Sequence, residues 1–313
     1  MTGPLIPLDE AGHTLRALTI QEMLQREFPP RDYILQPILP TQGLAMIYAM
    51  RGIGKTHFAL SLAYAVATGG SFLKFKAPQA RRVLLIDGEM TGIAMKERLA
   101  AIVAGAEAEP PSPDYFRVIT PDVQEVVGMP DLATEEGQAR LEPHLDGVAL
   151  VIVDNLSCLC RTGKENEGEA WLPVQGWALE LRRRGIAVLF VHHAGKGGAQ
   201  RGTSRREDVL DTVINLRRPS DYVADQGARF EIVFEKARGF SGDDAKPLDA
   251  TYTVTQGAAK WTWRDLADST YDRAVAMFNE GMNVRDVGEE LGISKSAAHR
   301  LRQRALAEGL IDG

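Results

Sequence analysis

Leu44-Ala45-Met46-Ile47-Tyr48-Ala49-Met50-Arg51-Gly52-Ile53-Gly54-Lys55-Thr56 is the stretch on which the reading of this chain turns. Leu44–Tyr48 is an apolar run of strand length, and helical spacing of apolar residues starts at His57. Between them lies a near match to the pattern G-x4-G-K-[ST], whose backbone N–H groups converge on phosphate oxygens. The start of the following helix adds partial positive charge. In this reading Lys55 reaches the β- and γ-phosphates of ATP, and the Thr56 hydroxyl binds Mg²⁺. The expected phosphate cradle is Ala49, Met50, Arg51, Gly52, Ile53, Gly54, Lys55, Thr56 and the adjoining His57. Ala49 departs from the pattern, which has Gly there, where a turn can need a permissive backbone.

Working outward, short apolar strands alternate with helical patterns, which argues a mostly parallel sheet with helices on both faces. Strands are expected at Leu44–Tyr48, Arg82–Asp87, Phe116–Ile119, Ala149–Asp154, Ala187–His192 and Thr212–Leu216. Helices are expected at His57–Ala67, Met95–Ala104, Thr134–Leu145 and Leu172–Arg183. Antiparallel strands follow at Ala228–Lys236, Ala250–Thr255 and Ala259–Trp263. The expected organisation is a tail and linking helix over 1–36 (helix Leu15–Phe28), an ATPase domain over 37–264 and a helical domain over 270–313. Arg264–Ser269 reads as a polar link.

Two strand ends carry acids. Asp154 closes Val-Ala-Leu-Val-Ile-Val-Asp, and an acid at that edge can hold the Mg²⁺ shell beside the phosphate loop. Glu89 follows Val-Leu-Leu-Ile-Asp87-Gly88, where a carboxylate can orient an attacking water; Asp87 competes for that role. A third strand ends in His192-His193. A His at this edge can contact a γ-phosphate or be an ordinary strand-end pair or metal site; adjacent strand residues face opposite ways, and His193 is the expected phosphate-facing one.

The segments RDYILQP, RGIGKTHFALSLA, VLLIDGE, VIVDN and FVHHAGKGG, in that order, resemble the RecA/DnaB-type ATPases. QRGTSRREDVLDTVINL extends the likeness, which is narrowest to the RepA-type helicases of plasmid replication. The resemblance implies a RecA-like core in a ring, hexameric in that family, with ATP between neighbouring subunits. It implies Glu89 as the catalytic carboxylate, His193 as the γ-phosphate sensor, and Lys236 with Arg238 completing a neighbour's site. It also implies that the loop with Lys196, Arg201, Arg205 and Arg206 faces a channel, where mobile cations grip single-stranded DNA without reading sequence.

Beyond Tyr271 the pattern resembles a helix-turn-helix: helices Tyr271–Glu280, Val284–Leu291 and Lys295–Leu306, with Gly292-Ile293-Ser294 as the turn. Lys295, Ser296, His299 and Arg300 would face duplex DNA. This supports a second reading, a DNA-binding regulator switched by ATP.

The 313 residues are 44% apolar and 25% charged, with a formal net charge of -6. Such a chain fills a core without disulfides or structural metal, and its nucleic-acid contacts must be local basic patches. Cys158 and Cys160 fit reduced thiols of a cytoplasmic protein. No signal peptide is expected from MTGPLIPLDEAGHTLRALTI, and no stretch reaches the ~18–20 apolar residues of a membrane span.

Overall fold

Continuous apolar runs suit strands covered on both faces, and in this chain they take that place. The computed structural model describes residues 17–28, 32–161, 168–194 and 208–311, with the backbone alone for 168–170. It divides into two units, Met1–Asp32 and Tyr33–Gly313.

The first unit holds one helix, α1 (Ile20–Gln25). Thr19 and Glu22 cap it reciprocally: the Glu22 N–H donates to the Thr19 hydroxyl, and the Thr19 N–H donates to the Glu22 carboxylate at 2.8 Å. The helix is shorter than the Leu15–Phe28 expected, since Arg26–Phe28 are non-helical and 15–16 lie outside the described residues. Ile20 and Leu24 are each 82% exposed.

The second unit opens with a hairpin, β1 (Tyr33–Leu35) and β2 (Leu39–Pro40), and then β3 (Leu44–Ala49). Helix α2 (Lys55–Thr68) follows, ending on left-handed Gly69. A small hairpin, β4 (Ser71–Phe72) and β5 (Phe75–Lys76), precedes β6 (Arg82–Asp87). Helix α3 (Gly92–Gly105) is capped by Thr91 and leads to β7 (Phe116–Ile119). Helix α4 (Glu135–Ala139) precedes β8 (Val148–Asp154), and α5 (Leu156–Leu159) and α6 (Gly168–Arg183) precede β9 (Ala187–His193). Strands β10 (Thr212–Arg217), β11 (Ala228–Ala237), β12 (Leu248–Thr255) and β13 (Ala258–Asp265) follow.

One sheet has the order β13-β12-β11-β10-β3-β9-β8-β6-β7. From β10 to β7 every pairing is parallel, and β11 to β13 add antiparallel strands at one edge. Each face has its own apolar core. Phe58 and Leu62 of α2 and Met95 and Ile102 of α3 lie in one, and Trp171, Trp177 and Leu181 of α6 in the other. This is the α/β sheet with helices on both faces that the sequence led us to expect. It places Trp171 and Trp177 in core packing.

Three stretches differ from expectation. Thr134–Leu145 is two pieces, α4 and a 3-10 turn Glu142–His144, because Pro143 lacks the N–H that a continuous helix needs. The expected link Arg264–Ser269 is absent: Arg264 and Asp265 end β13, and helix α7 (Leu266–Asn279) begins at once. The β1–β2 and β4–β5 hairpins were not anticipated, being too short for a periodic signal.

After α7 come α8 (Val284–Glu290) and α9 (Lys295–Ala307). Ala274, Val287, Leu291 and Ala298 make their buried core, with Ile293 and Leu301 against it. Gly292 turns the chain between α8 and α9 at φ +63°. Among the described residues no helix is long and apolar enough to cross a membrane.

Helix α3 ends against β13, where a Cβ on Gly105 would run into the Ala259 carbonyl. Gly105→Ala is therefore expected to lower the thermal midpoint, at a cost of about 1–3 kcal/mol. Inside α6 a Cβ on Gly176 meets nothing within 4 Å, so Gly176→Ala is expected to add about 0.5–1 kcal/mol. Thermal unfolding of both variants checks the pair.

Candidate active site

Parallel register sets the site. Asp87 pairs with Asp154, Asp154 with Val191, and Ala49 with His193, so four strands end at one edge. The crevice beyond the C-terminal strand ends is where open α/β sheets bind ligands. A cavity of about 500 Å³ lies there, walled by the loop 51–56, Glu89, Asp154, Asn155 and His193.

The phosphate loop explains its own departure from the pattern. Ala49 is the last residue of β3 and buried, whereas the left-handed positions are Gly52 at φ +76° and Gly54 at φ +123°. The two glycines that remain are those the backbone requires. A Cβ on Gly54 would also press within 3.2 Å of Ala228 and Phe230. Lys55 opens α2, and its ammonium donates to the carbonyls of Ala49 at 3.2 Å and Met50 at 3.0 Å. Burial pulls that ammonium down to about 8, against the attraction of Asp154 and Glu89.

Asp154 is buried. Burial pushes its carboxyl up to about 6, while a hydrogen bond from Thr56 and the charge of Lys55 oppose the shift and Asp87 reinforces it. Its Oδ2 is buried without a hydrogen-bond partner, which suits an acceptor whose cation or water comes with the nucleotide. Among the described residues no group of three or more His, Cys, Asp or Glu could hold a metal alone. Mg²⁺ takes one or two protein oxygens and completes its shell with water and phosphate. Thr56 and Asp154 would hold it, and its charge would offset that of the phosphates.

The geometry separates the two carboxylates that the sequence left in competition. The Asp87 side chain accepts from the N–H groups of Met90 at 3.0 Å and Glu89 at 3.4 Å, and from the Thr120 hydroxyl at 3.2 Å. Burial pushes its pKa up, and those hydrogen bonds restrain the rise. Asp87 thus shapes the turn that carries Glu89. Glu89 faces the cavity with its side chain 59% exposed, 3.7 Å from Nε2 of His193. Asn155 donates to Glu89 Oε2 at 2.6 Å. His193 lines the cavity, and His192 is fully buried in the sheet.

Three residues at this site went unnoticed in the sequence. Asn155 had a signal, since it follows Asp154 and caps α5 through the Cys158 N–H. Arg98 of α3 lines the cavity and lowers His57, which burial first and then this charge hold down at about 4. Arg218, just after β10, donates to the Gly52 carbonyl at 3.1 Å. Neither arginine sits in a recognisable motif.

Other residues singled out lie elsewhere. Lys236 pairs with Val213 near the start of β10, whereas Ala49 pairs with Leu216 near its end. Lys236 and Arg238 are therefore at the opposite end of the strands from the phosphate loop of the same chain. The Arg238 guanidinium donates to the Asp208 carbonyl at 2.8 Å. Lys196, Arg201, Arg205 and Arg206 lie outside the described residues. Lys295, Ser296, His299 and Arg300 are exposed on α9.

A glycine-rich phosphate loop between strand and helix, with two acids on neighbouring strand ends, defines a RecA-type P-loop ATPase. The AAA domain family matches residues 11–199, and the chain belongs to it. Its fold is similar to that of a KaiC-like protein from the hyperthermophilic archaeon Pyrococcus horikoshii OT3. That likeness has a TM-score of 0.50 at 13% identity, covering 73% of this chain and 93% of the other.

Two outcomes follow. Glu89→Gln is expected to lower kcat about 10²–10⁴-fold and leave ATP binding within a few-fold, read by steady-state hydrolysis beside a fluorescent-nucleotide titration. Asp154→Asn is expected to abolish Mg²⁺-dependent hydrolysis yet stabilise the nucleotide-free protein in chelator. A carboxyl raised on folding costs stability once ionised, so the gain is present above pH about 6. It reaches at most about 3 kcal/mol there and fades as pH falls toward 4. Melting curves across that range check the sign.

Proposed function

We propose that this chain assembles into a ring, a hexamer by resemblance, and couples ATP hydrolysis to binding or translocation on single-stranded DNA. The fitting role is a replicative helicase of a plasmid or other mobile element. The placement of Lys236 and Arg238 carries this reading. Strand ends of one sheet cannot meet, so a nucleotide role for these cations would be at another chain's site. A cation arriving from a neighbour stabilises transition-state charge and ties hydrolysis to assembly. Glu89 orients the water, Lys55 and the loop amides hold the phosphates, and His193 reports the γ-phosphate to its strand.

The exposed face of α9 favours a second reading, an ATP-switched regulator that binds duplex DNA. From Lys295 to Ala307 the helix has no acid, and its core packs α9 against α8 in helix-turn-helix order. The motor requires stimulation by single strands of any sequence. The regulator requires preference for one duplex, lost in Arg300→Ala.

Hydrolysis with and without single-stranded DNA, beside a Lys55→Ala control, separates the two. Strong stimulation, absent in the control, supports the motor; indifference to single strands moves the conclusion to the regulator. Shared sites are tested by mixing. Lys55→Ala chains and Lys236→Ala/Arg238→Ala chains are each expected to be nearly inactive alone. Mixed before assembly, they are expected to recover part of the wild-type rate, because some interfaces then pair an intact loop with intact cations. No recovery would remove the trans role.

A further inference from the structure

The segment joining β10 to β11 touches the phosphate loop at one end and helix α7 in its middle. Arg218 donates to the Gly52 carbonyl, and its guanidinium lies over the Tyr222 ring at 4.1 Å. The Tyr222 hydroxyl in turn donates to the Gly227 carbonyl at 2.9 Å. Gly227 and Ala228 then wall the nucleotide cavity. Loop and cavity wall are thus joined through one arginine–tyrosine stack.

The same segment carries Asp221. One carboxylate oxygen takes Arg229 at 3.3 Å, and the other takes Arg273 of α7. Arg229 also grips Asp249 with two bonds, at 3.1 and 2.9 Å. Asp249 accepts from the Ser269 hydroxyl of α7 at 2.5 Å. The side chains of Arg229, Asp249 and Arg273 are only 11%, 6% and 11% exposed. Buried charges tolerate loss of a partner badly, so Asp221, Arg229 and α7 shift together or not at all. Arg229 directly follows Ala228 of the cavity wall.

We infer that Arg218 is a positioning residue of the phosphate loop, and that Arg218–Gly227 transmits occupancy of the cavity to helix α7. The peptide bond is planar, with its C=O and N–H pointing opposite ways. Arg218 holds the Gly52 carbonyl outward, which turns the Ile53 N–H toward the phosphates. A nucleotide that tightens the loop pulls on Arg218 and presses on Gly227–Ala228, and both movements reach Asp221. Through Arg273 and Ser269 they reach the base of the C-terminal helices. Linkage makes the effect reciprocal: whatever shifts α7 alters nucleotide affinity. The inference rests on the nucleotide site and is independent of which DNA, if any, the chain binds.

The test uses the full chain, Mg²⁺ and a non-hydrolysable ATP analogue, with affinity from titration and amide hydrogen exchange followed over 218–227 and 266–279. In the wild type, saturating analogue is expected to slow exchange in both segments by about threefold or more. Arg218 is exposed, so Arg218→Ala leaves the fold intact; it is expected to weaken ATP and ADP alike by about five- to tenfold, with kcat at saturation nearly kept. Asp221→Asn keeps a hydrogen-bonding oxygen and is expected to melt as one cooperative, lowered transition; at temperatures where it is folded it is expected to bind the analogue within about tenfold of wild type while α7 no longer responds. Arg264→Ala, which breaks the exposed pair between Arg264 of β13 and Asp272 of α7, is expected to keep the response. Binding without any change in α7, or an equal change in Asp221→Asn, overturns the coupling alone. Failure to bind the analogue at all brings down the nucleotide site and the coupling with it.

Discussion

A carboxylate buried as deeply as Asp154 must be ionised to hold a metal and is disfavoured when ionised, and the site is built around that conflict. The acid ends β8, whose neighbours β6 and β9 are parallel to it, so no solvent reaches it along the sheet. Lys55 and Thr56 answer part of the charge from the start of α2. The rest would be left for a nucleotide and its Mg²⁺. This ties three features to one acid: the parallel order of the strands, the entry of α2 directly above their ends, and the glycines at Gly52 and Gly54 that bend the loop over them. An antiparallel neighbour would reverse one strand and carry its acid or histidine to the wrong end.

Most of the fold was legible because its signals are of the right length. Strands such as Phe116–Ile119 and Arg82–Asp87 stand in the structure with the bounds their apolar runs suggested. Pairs of strands two residues long, Ser71–Phe72 with Phe75–Lys76, have no period to detect. The C-terminal helix start was misplaced for a different reason. Leu266-Ala267-Asp268-Ser269 reads as polar because Ser269 is buried by a partner distant in sequence, Asp249, which composition cannot reveal.

The site divides in the same way. Residues fixed by backbone geometry, Lys55, Thr56, Asp154 and His193, were readable from their places at strand and helix ends. Glu89 against Asp87 was not decidable from spacing, since one ends β6 and the other lies two residues beyond it. The turn distinguishes them: Asp87 accepts from two N–H groups and Thr120, whereas Glu89 is the more exposed of the two acids in the cavity lining. Arg98 and Arg218 reach the site from a helix face and from a connection with no pattern of its own, and only packing places them.

An open sheet separates chemistry along its strands as firmly as it aligns chemistry across them. The acids, the phosphate loop and His193 share one edge, whereas the late basic pair Lys236 and Arg238 is fixed at the other by the antiparallel turn of β11. No rotation of side chains closes that distance. If the basic pair belongs to a hydrolytic site, as proposed, one chain cannot join it to its own phosphate loop. What it holds within itself is the phosphate loop, its acids and the contacts proposed above to convey nucleotide occupancy. The connection from Arg218 to Arg273 starts at the phosphate loop and ends on α7, so the C-terminal helices are joined to the cavity edge of the sheet. On the proposed reading, such a chain would bind ATP by itself and hydrolyse it as an assembly.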